Sequence, residues 1–350
     1  KIQFFTIIGE DLIHNLKENC LAYNIDLFET IGQNTFTFFY YHPLSQSYYY
    51  PEVRELQKIR IGKLDKVLMY GLLEGDFEFV AEKVVYDPQN GRLFSSTGSS
   101  AKILAYVLNR KEAIELPNSE EDCKIEDLIF KIVELEGATV VIIKDSVFGA
   151  YLWDGIDVTH LNFYKTGRVW PIGSGDIFSA VFAYYWLIKG EEVKNSANMA
   201  SVLTAGYCNS KVLPIVEKAE KFPISLPKIK NIYLAGPFFS LSDRWIVNEA
   251  LQALSSFRQQ VFSPFHTLGI CDDTEAAKKD LDAINSCDLL FAILNNLDPG
   301  TLFEIGYARS LNKEVIIYSE TISERDLFML NGSECKIFDD FSTAIYLAST

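Results

Sequence analysis

Asp280, Asp298 and Glu304 are the residues of this chain whose type and spacing point most directly to chemistry. Glu304 stands in DPGTLFEIGYA (298–308), flanked by apolar residues, with Asp298 six positions upstream. Asp280 precedes them in KKDLDAINSCDLLFAIL (278–294). Ionised acids are seldom buried without a partner or a task. One carboxylate held against an anomeric carbon can act as a nucleophile. A second, kept protonated by its neighbours, can donate a proton to the leaving group. Together they follow the two-carboxylate logic of glycosyl transfer with retention. Each residue also has a plainer reading: Asp298 starts a turn, Asp280 lies on a solvated helix, and Glu304 caps a helix. Gly300 and Thr301 tighten the turn that would carry Glu304 to a sheet edge.

A second candidate lies upstream in PIGSGDIFSAVFAYYWL (171–187). Gly173, Ser174 and Gly175 allow a tight turn that exposes N–H groups where a helix begins, an arrangement that binds anions. Asp176 follows and could take a proton from an alcohol attacking a phosphate. The plain alternative is a Gly-rich loop with Asp as an N-cap.

These residues need elements to hold them. KVLMYG (66–71), FVAEKVVYD (79–87), TVVIIKD (139–145), NIYLAG (231–236), DLLFAIL (288–294) and EVIIYS (314–319) read as short strands that mostly end at Asp, Gly or Ser. Amphipathic helical runs are expected between several of them, as in SSAKILAYVLNRKEAI (99–114) and DRWIVNEALQALSSFRQQ (243–260). Such alternation predicts mainly parallel sheets covered by helices. The aromatic-rich segment 28–51 lacks a helical period and reads as an antiparallel flap or lid. Pro223 and Pro227 interrupt helix formation before a fresh strand. They suggest two α/β domains, residues 1–222 and 230–350, with 223–229 as linker. Lys1 already opens an apolar run, KIQFFTIIGEDL, which suggests that a segment precedes it.

The 350 residues, 48% hydrophobic and 23% charged, suit a globular protein of two ordinary domains. A formal charge of −15 opposes nucleic-acid polymers and anionic membranes as main partners. Small phosphorylated ligands stay open, because local backbone donors hold them. The six cysteines lack metal or disulfide spacing and read as reduced cytosolic thiols, so a cytoplasmic location is expected. No apolar run approaches the length of a membrane span.

The C-terminal motifs resemble the nucleoside 2-deoxyribosyltransferase family. YLAGPFF (233–239) is similar to its first strand and turn, Asp280 to Asp288 to its D-x-x-x-I-x-x-x-D segment, and Asp298 to Ala308 to its catalytic loop and helix. The resemblance implies that Glu304 attacks C1′ and holds a covalent pentosyl intermediate, restrained by Tyr233. Asp280 and Asp298 would contact the base, one of them protonating it, while Gly236 and Phe238 shape the pocket walls. Transferases of the family often supply a sugar-contacting Asn near the chain end. Leu327 takes that place here, with Asp326 or Asn331 as substitutes, so water could replace the acceptor base.

Residues 1–215 resemble the PfkB/ribokinase family of sugar and nucleoside kinases. GSGD (173–176) is similar to its GAGD signature, and NRKE (109–112) to its NxxE motif. VVYDPQNG (84–91) and VVIIKDSVFGAYLWDG (140–155) fall in the family's order. The resemblance implies Asp176 as base and Gly173, Ser174 and Gly175 as anion hole. It assigns Asn109 and Glu112 as the pair organising Mg²⁺, with Glu112 as metal contact, and Asn198 beside the nucleotide. ATP and Mg²⁺ are thus implied for this domain and no cofactor for the other. Pro171-Ile172 replaces the usual Thr, and Asp145-Ser146 replaces the glycine expected after Lys144.

The expected architecture is therefore α/β. A ribokinase-like three-layer domain with a small lid precedes a flavodoxin- or Rossmann-like parallel-sheet domain. The expected function is cleavage or exchange of the N-glycosidic bond of a nucleoside or nucleotide, joined to a domain that binds and could phosphorylate a nucleoside or sugar. The alternatives are a kinase with a nucleotide-sensing C-terminal domain, and a non-catalytic regulator. Both resemblances imply a homodimer or larger homo-oligomer.

Overall fold

The computed structural model describes residues 1–53, 55–89, 91–215, 223–224, 226–269, 274–323 and 325–350. Strand β1 (Ile2–Ile8), helix α1 (Ile13–Ala22) and strand β2 (Ile25–Ile31) form a two-stranded parallel sheet with its crossover. Strands β3 (Thr37–Phe39) and β4 (Tyr48–Tyr50) pair as an antiparallel hairpin. Six strands follow: β5 (Gln57–Tyr70), β6 (Gly75–Asp87), β7 (Ser100–Asn109), β8 (Val140–Lys144), β9 (Ala150–Trp153) and β10 (Val158–Leu161). They form one sheet in the order β10-β9-β8-β7-β6-β5, parallel from β5 to β8 and antiparallel beyond. Only Gly71–Glu74 joins β5 to the parallel β6, and five Cα steps span at most about 19 Å. A straight 14-residue strand is roughly 46 Å long. The two strands therefore curl together, and their register shifts between Arg60 and Gly62.

Helices α2 (Arg110–Glu115) and α3 (Ile125–Glu136) cover one sheet face, and α4 (Ser174–Ala183) and α5 (Val193–Ser210) the other. Alternation along β6 sends Val84 and Tyr86 to the first layer and Val85 to the second. Two expectations need correction here. Residues 100–109 form a strand, not a helix, because β7 lies inside the sheet with Leu104 to Leu108 buried on both faces. Such a run has no polar side and is indistinguishable by period from a buried helix. The 28–51 segment is a flap only from residue 37, since Phe28 to Ile31 belong to the parallel strand β2.

Short strands β11 (Phe163–Tyr164) and β12 (Pro223–Ile224) pair with each other, so part of the expected linker is tied to the first domain. Residues 216–222 and 225, also in the boundary segment, lie outside the described residues.

The second sheet holds β13 (Asn231–Ala235), β14 (Gln260–Phe262), β15 (Leu289–Ile293), β16 (Glu314–Tyr318) and β17 (Lys336–Phe338). All five are parallel, in the order β14-β13-β15-β16-β17. Helices α6 (Leu241–Ser256) and α11 (Phe341–Ala348) pack on one face. Helices α7 (Pro264–Leu268), α8 (Thr274–Ser286), α9 (Pro299–Ser310) and α10 (Phe328–Gly332) complete the domain, with α8 and α9 on the other face. Every residue of β15 is buried, and each large aliphatic side chain there contributes about 1.5–3 kcal/mol of burial. The winding reverses between β13 and β15, where doubly wound sheets open a crevice at the carboxyl ends of their strands. Among the described residues no helix is long and apolar enough to cross a membrane.

The domains meet through a turn after β8. Val147 and Phe148 pack into the core that α6 and α11 build on the second sheet. Arg258 clamps the turn, with Nη2 2.7 Å from Asp145 Oδ2 and its guanidinium 3.6 Å above the Phe148 ring. Ser146 Oγ donates to Tyr346 Oη at 3.1 Å, and Val169 N donates to Thr343 Oγ1 at 2.9 Å. The flap crosses over as well: His42 Nε2 lies 2.9 Å from Glu249 Oε2.

Candidate active site

Tyr233 is fully buried at the middle of β13, facing α9 rather than α6. Its hydroxyl donates to Glu304 Oε1 at 2.6 Å. Helix α9 presents Glu304 because Asp298 starts it: Asp298 Oδ2 accepts from Thr301 N at 2.7 Å and Thr301 Oγ1 at 2.8 Å. Pro299 takes the first helical position, where its missing N–H costs nothing. A Cβ on Gly300 would lie 3.2 Å from Asp298 Oδ2, so the glycine leaves room for that cap.

Burial pushes the Glu304 carboxyl up to about 7, and the charges of Asp280 and Asp298 act in the same direction. The Tyr233 hydrogen bond opposes them by stabilising the carboxylate. The folded value lies above the usual glutamate range. The contribution of this group to stability is therefore fully present below about pH 4.5 and is lost as pH rises through about 7. If the carboxylate attacks a substrate, kcat/KM rises with pH through about 7. Tyr233→Phe removes the opposing hydrogen bond, so the limb is expected to move to higher pH. A pH–rate profile checks this, and a limb that stays put or moves down contradicts it.

Glu304, Asp280, Gly236 and Phe238 line one cavity of about 70 Å³ at the carboxyl ends of β13 and β14. A Cβ on Gly236 would crowd Val247 Cγ2 at 3.0 Å and Ile293 Cβ at 3.3 Å, so the glycine eases the packing there. Asp280 is set on α8, and its buried Oδ1 has no hydrogen-bond partner among the described residues. Burial raises its carboxyl, which favours the proton-donating form. Asp298, Gly300 and Thr301 lie at the start of α9 outside the cavity lining. The structure brings Asp280 and Glu304 to one cavity, while Asp298 Oδ2 accepts the hydrogen bonds that cap α9.

Residues 232–337 match the family model for nucleoside 2-deoxyribosyltransferase. The solved 2-deoxyribosyltransferase of Bacillus psychrosaccharolyticus is 32% identical, with 32% of this chain and 88% of that chain covered and a TM-score of 0.29. The C-terminal domain belongs to the nucleoside 2-deoxyribosyltransferase family. A 2-deoxyribosyltransferase from Leishmania mexicana is 22% identical over 34% of this chain and 97% of its own, with a TM-score of 0.29. A ribokinase from Thermotoga maritima is 16% identical over 63% of this chain and 78% of its own, with a TM-score of 0.44. No curated protein matches the chain.

In the transferase-family domain, sequence reasoning missed the wall contributed by Ser263, Pro264 and Phe265 after β14. A signal was present: Pro-Phe follows β13 at 237–238 and β14 at 264–265. Because these strands are neighbours, Phe238 and Phe265 stack, with centroids 5.5 Å apart and planes at 18°.

The upstream candidates gather at the carboxyl edge of β6 to β8. Asp87, 1% exposed, pairs with Lys144 Nζ at 3.2 Å and accepts from Ser179 Oγ at 2.6 Å. Asp176 sits in the first turn of α4 and accepts from Gln89. Burial raises its carboxyl, the Asp87 charge adds to this, and the Gln89 hydrogen bond and Lys144 oppose it. Gly173 caps α4 at φ +79°, a left-handed conformation suited to glycine. A Cβ on Gly175 would lie 3.3 Å from Lys144 Nζ, so the ammonium stands directly beside the cradle. Asp87, Gln89 and Lys144 were not singled out as site residues from the sequence. Ser174 opens α4, and Asn198 is half-buried on α5.

Asn109 and Glu112 form a reciprocal capping box: Asn109 Oδ1 accepts from Glu112 N at 2.9 Å and Glu112 Oε2 from Asn109 N at 2.8 Å. Burial raises Glu112, with Lys144 and the Asn109 N–H opposing. Among the described residues no three His, Cys, Asp or Glu side chains converge as a metal site.

Proposed function

We propose that the C-terminal domain cleaves or exchanges the N-glycosidic bond of a nucleoside or nucleotide through a covalent intermediate on Glu304. The observation that carries this reading is the 2.6 Å Tyr233–Glu304 hydrogen bond beside a cavity that Asp280 also lines. Glu304 attacks C1′ as the bond to the base breaks, and the electron pair leaves with the base. Asp280, whose carboxyl burial raises, gives the base its proton. Water or a second base then attacks C1′ and releases Glu304, and Asp280 takes up the proton from that nucleophile. Tyr233 fixes the attacking oxygen, and Phe238 with Phe265 supplies an aromatic wall for a base.

The N-terminal domain has a second reading as a kinase, favoured by Asp176 in the first turn of a helix that begins at a glycine cradle. Backbone N–H groups of Gly173 and Gly175 and the Lys144 ammonium would hold phosphate oxygens of ATP, and Asp176 would take the acceptor's hydroxyl proton.

Incubation with a panel of nucleosides, nucleotides and NAD, followed by chromatography for free base, tests the first reading. Base release is expected. ADP formation from ATP and an acceptor, lost in Asp176→Asn, is the outcome the kinase reading expects. Binding without either product would leave a regulatory protein and refute both catalytic readings.

A further inference from the structure

We propose that helix α6 couples the two domains, so that a phosphate ligand in the glycine cradle of the first strengthens nucleoside binding in the cavity of the second. The coupling rests on the cradle and cavity readings given above. Three sets of contacts meet on this helix. Trp245 and Glu249, one turn apart, take the tip of the flap: His42 Nε2 lies 2.9 Å from Glu249 Oε2, and its ring meets Trp245 edge-on with centroids 6.2 Å apart. Arg258, just past the helix end, holds Asp145 in the turn after β8. Val247, on roughly the opposite side of the helix from Trp245 and Glu249, lines the cavity that contains Glu304. One helix thus touches the first domain on one side and the proposed reaction site on the other.

The end of α6 is built around this contact. Arg258 N donates to Ser255 O at 2.8 Å and Gln259 N to Leu254 O at 3.2 Å, the pattern that ends a helix at a left-handed residue. That position favours glycine, yet Arg258 occupies it at φ +61°. The backbone accepts an unfavourable conformation, and the side chain it gains is the one that clamps Asp145 and covers Phe148.

The turn that Arg258 grips is stiff. Asp145 N donates to Gly149 O at 2.7 Å, Phe148 N to Asp145 O at 3.0 Å, and Gly149 N to Ser146 O at 3.0 Å. A shift at its start is therefore passed on to Phe148 rather than absorbed. Lys144, which leads into the turn, has two places for its ammonium. It pairs with Asp87 Oδ2 at 3.2 Å, and it stands 3.3 Å from where a Cβ on Gly175 would lie. A phosphate on the Gly173 and Gly175 N–H groups draws the ammonium toward the cradle, while Asp87 keeps the Ser179 hydroxyl at 2.6 Å. Lys144 then fixes the turn, the turn fixes Arg258 and Phe148, and α6 is ordered before a nucleoside arrives. The nucleoside loses less conformational entropy on binding, and linkage makes the effect reciprocal.

Hydrogen exchange on the whole wild-type protein, with and without inorganic tripolyphosphate, tests this. The probe has no glycosidic bond and cannot react at Glu304. Amides 173–183 are expected to slow as the cradle fills, and amides 241–258 to slow with them. Chromatography of free base gives a second readout: tripolyphosphate is expected to lower the KM for a nucleoside about fivefold or more. In Asp145→Asn/Arg258→Ala, amides 173–183 are expected to slow still, while amides 241–258 and KM no longer respond. Slowing at 173–183 without a response at 241–258 in the wild type overturns the coupling and leaves the kinase reading standing. A response at 241–258 that persists in the double variant overturns it as well. No slowing at 173–183 removes the cradle and the coupling together. Slowing of both segments without base release supports the coupling and counts against the Glu304 reading alone.

Discussion

Glu304→Gln is expected to reduce base release by at least about 10³-fold, because the amide keeps the shape of the side chain and removes the nucleophile. That loss corresponds to roughly 4 kcal/mol of transition-state stabilisation. Tyr233 can still donate to the carbonyl of the new amide, so the fold and the cavity are expected to persist. Far-UV spectra and ligand binding should match those of the wild type while turnover collapses. Chromatographic assay of free base checks the prediction. Activity close to that of the wild type would remove Glu304 from the mechanism and leave Asp280 as the acid to examine.

Arg258→Ala carries the largest expected effect on stability, about 2–3 kcal/mol. Asp145 is 7% exposed and loses its cation, and removing one partner of a buried pair costs about 3–5 kcal/mol. The guanidinium is partly solvated, which lowers that figure, and Asp145 can also protonate, since burial already raises its carboxyl. Loss of the guanidinium over Phe148 adds to the cost. Denaturant unfolding measures the change. The double variant Asp145→Asn/Arg258→Ala should cost less than the two single changes together, because no unpaired charge stays buried. An unfolding midpoint for Arg258→Ala indistinguishable from the wild type contradicts the assignment.

The C-terminal domain was legible in the sequence because its elements are short, apolar and separated by punctuation. Asp298-Pro299-Gly300 announces α9, and the strand-turn of Tyr233 to Phe239 announces the site edge. The role of Asp298 was less clear, because a helix cap and a catalytic acid share the same residue types at the same place. The hydrogen bonds to Thr301 show that one oxygen of its carboxylate caps α9. Strand β7 was hidden for the opposite reason: buried on both faces, it offers no alternation. The Ser263 to Phe265 wall depends on β13 and β14 being neighbours, which is a fact of sheet order rather than local pattern. Asn109 and Glu112 satisfied a kinase motif and a capping box equally well, since both require an amide and an acid three residues apart. Asp145-Ser146 was visible as a departure, but its reason lies in residues 258 and 346, far along the chain.

That turn has a consequence for how the protein is made. Val147 and Phe148 complete a core whose other side includes α11, which begins at residue 341. Synthesis runs at about 5–20 residues per second, so these side chains wait roughly 10–40 seconds for the helix that covers them. During that interval the first domain can be folded and still present an apolar knob to every other nascent chain nearby. A cell that makes this protein must tolerate or shield the knob for that time, which gives translation speed a direct hold on yield.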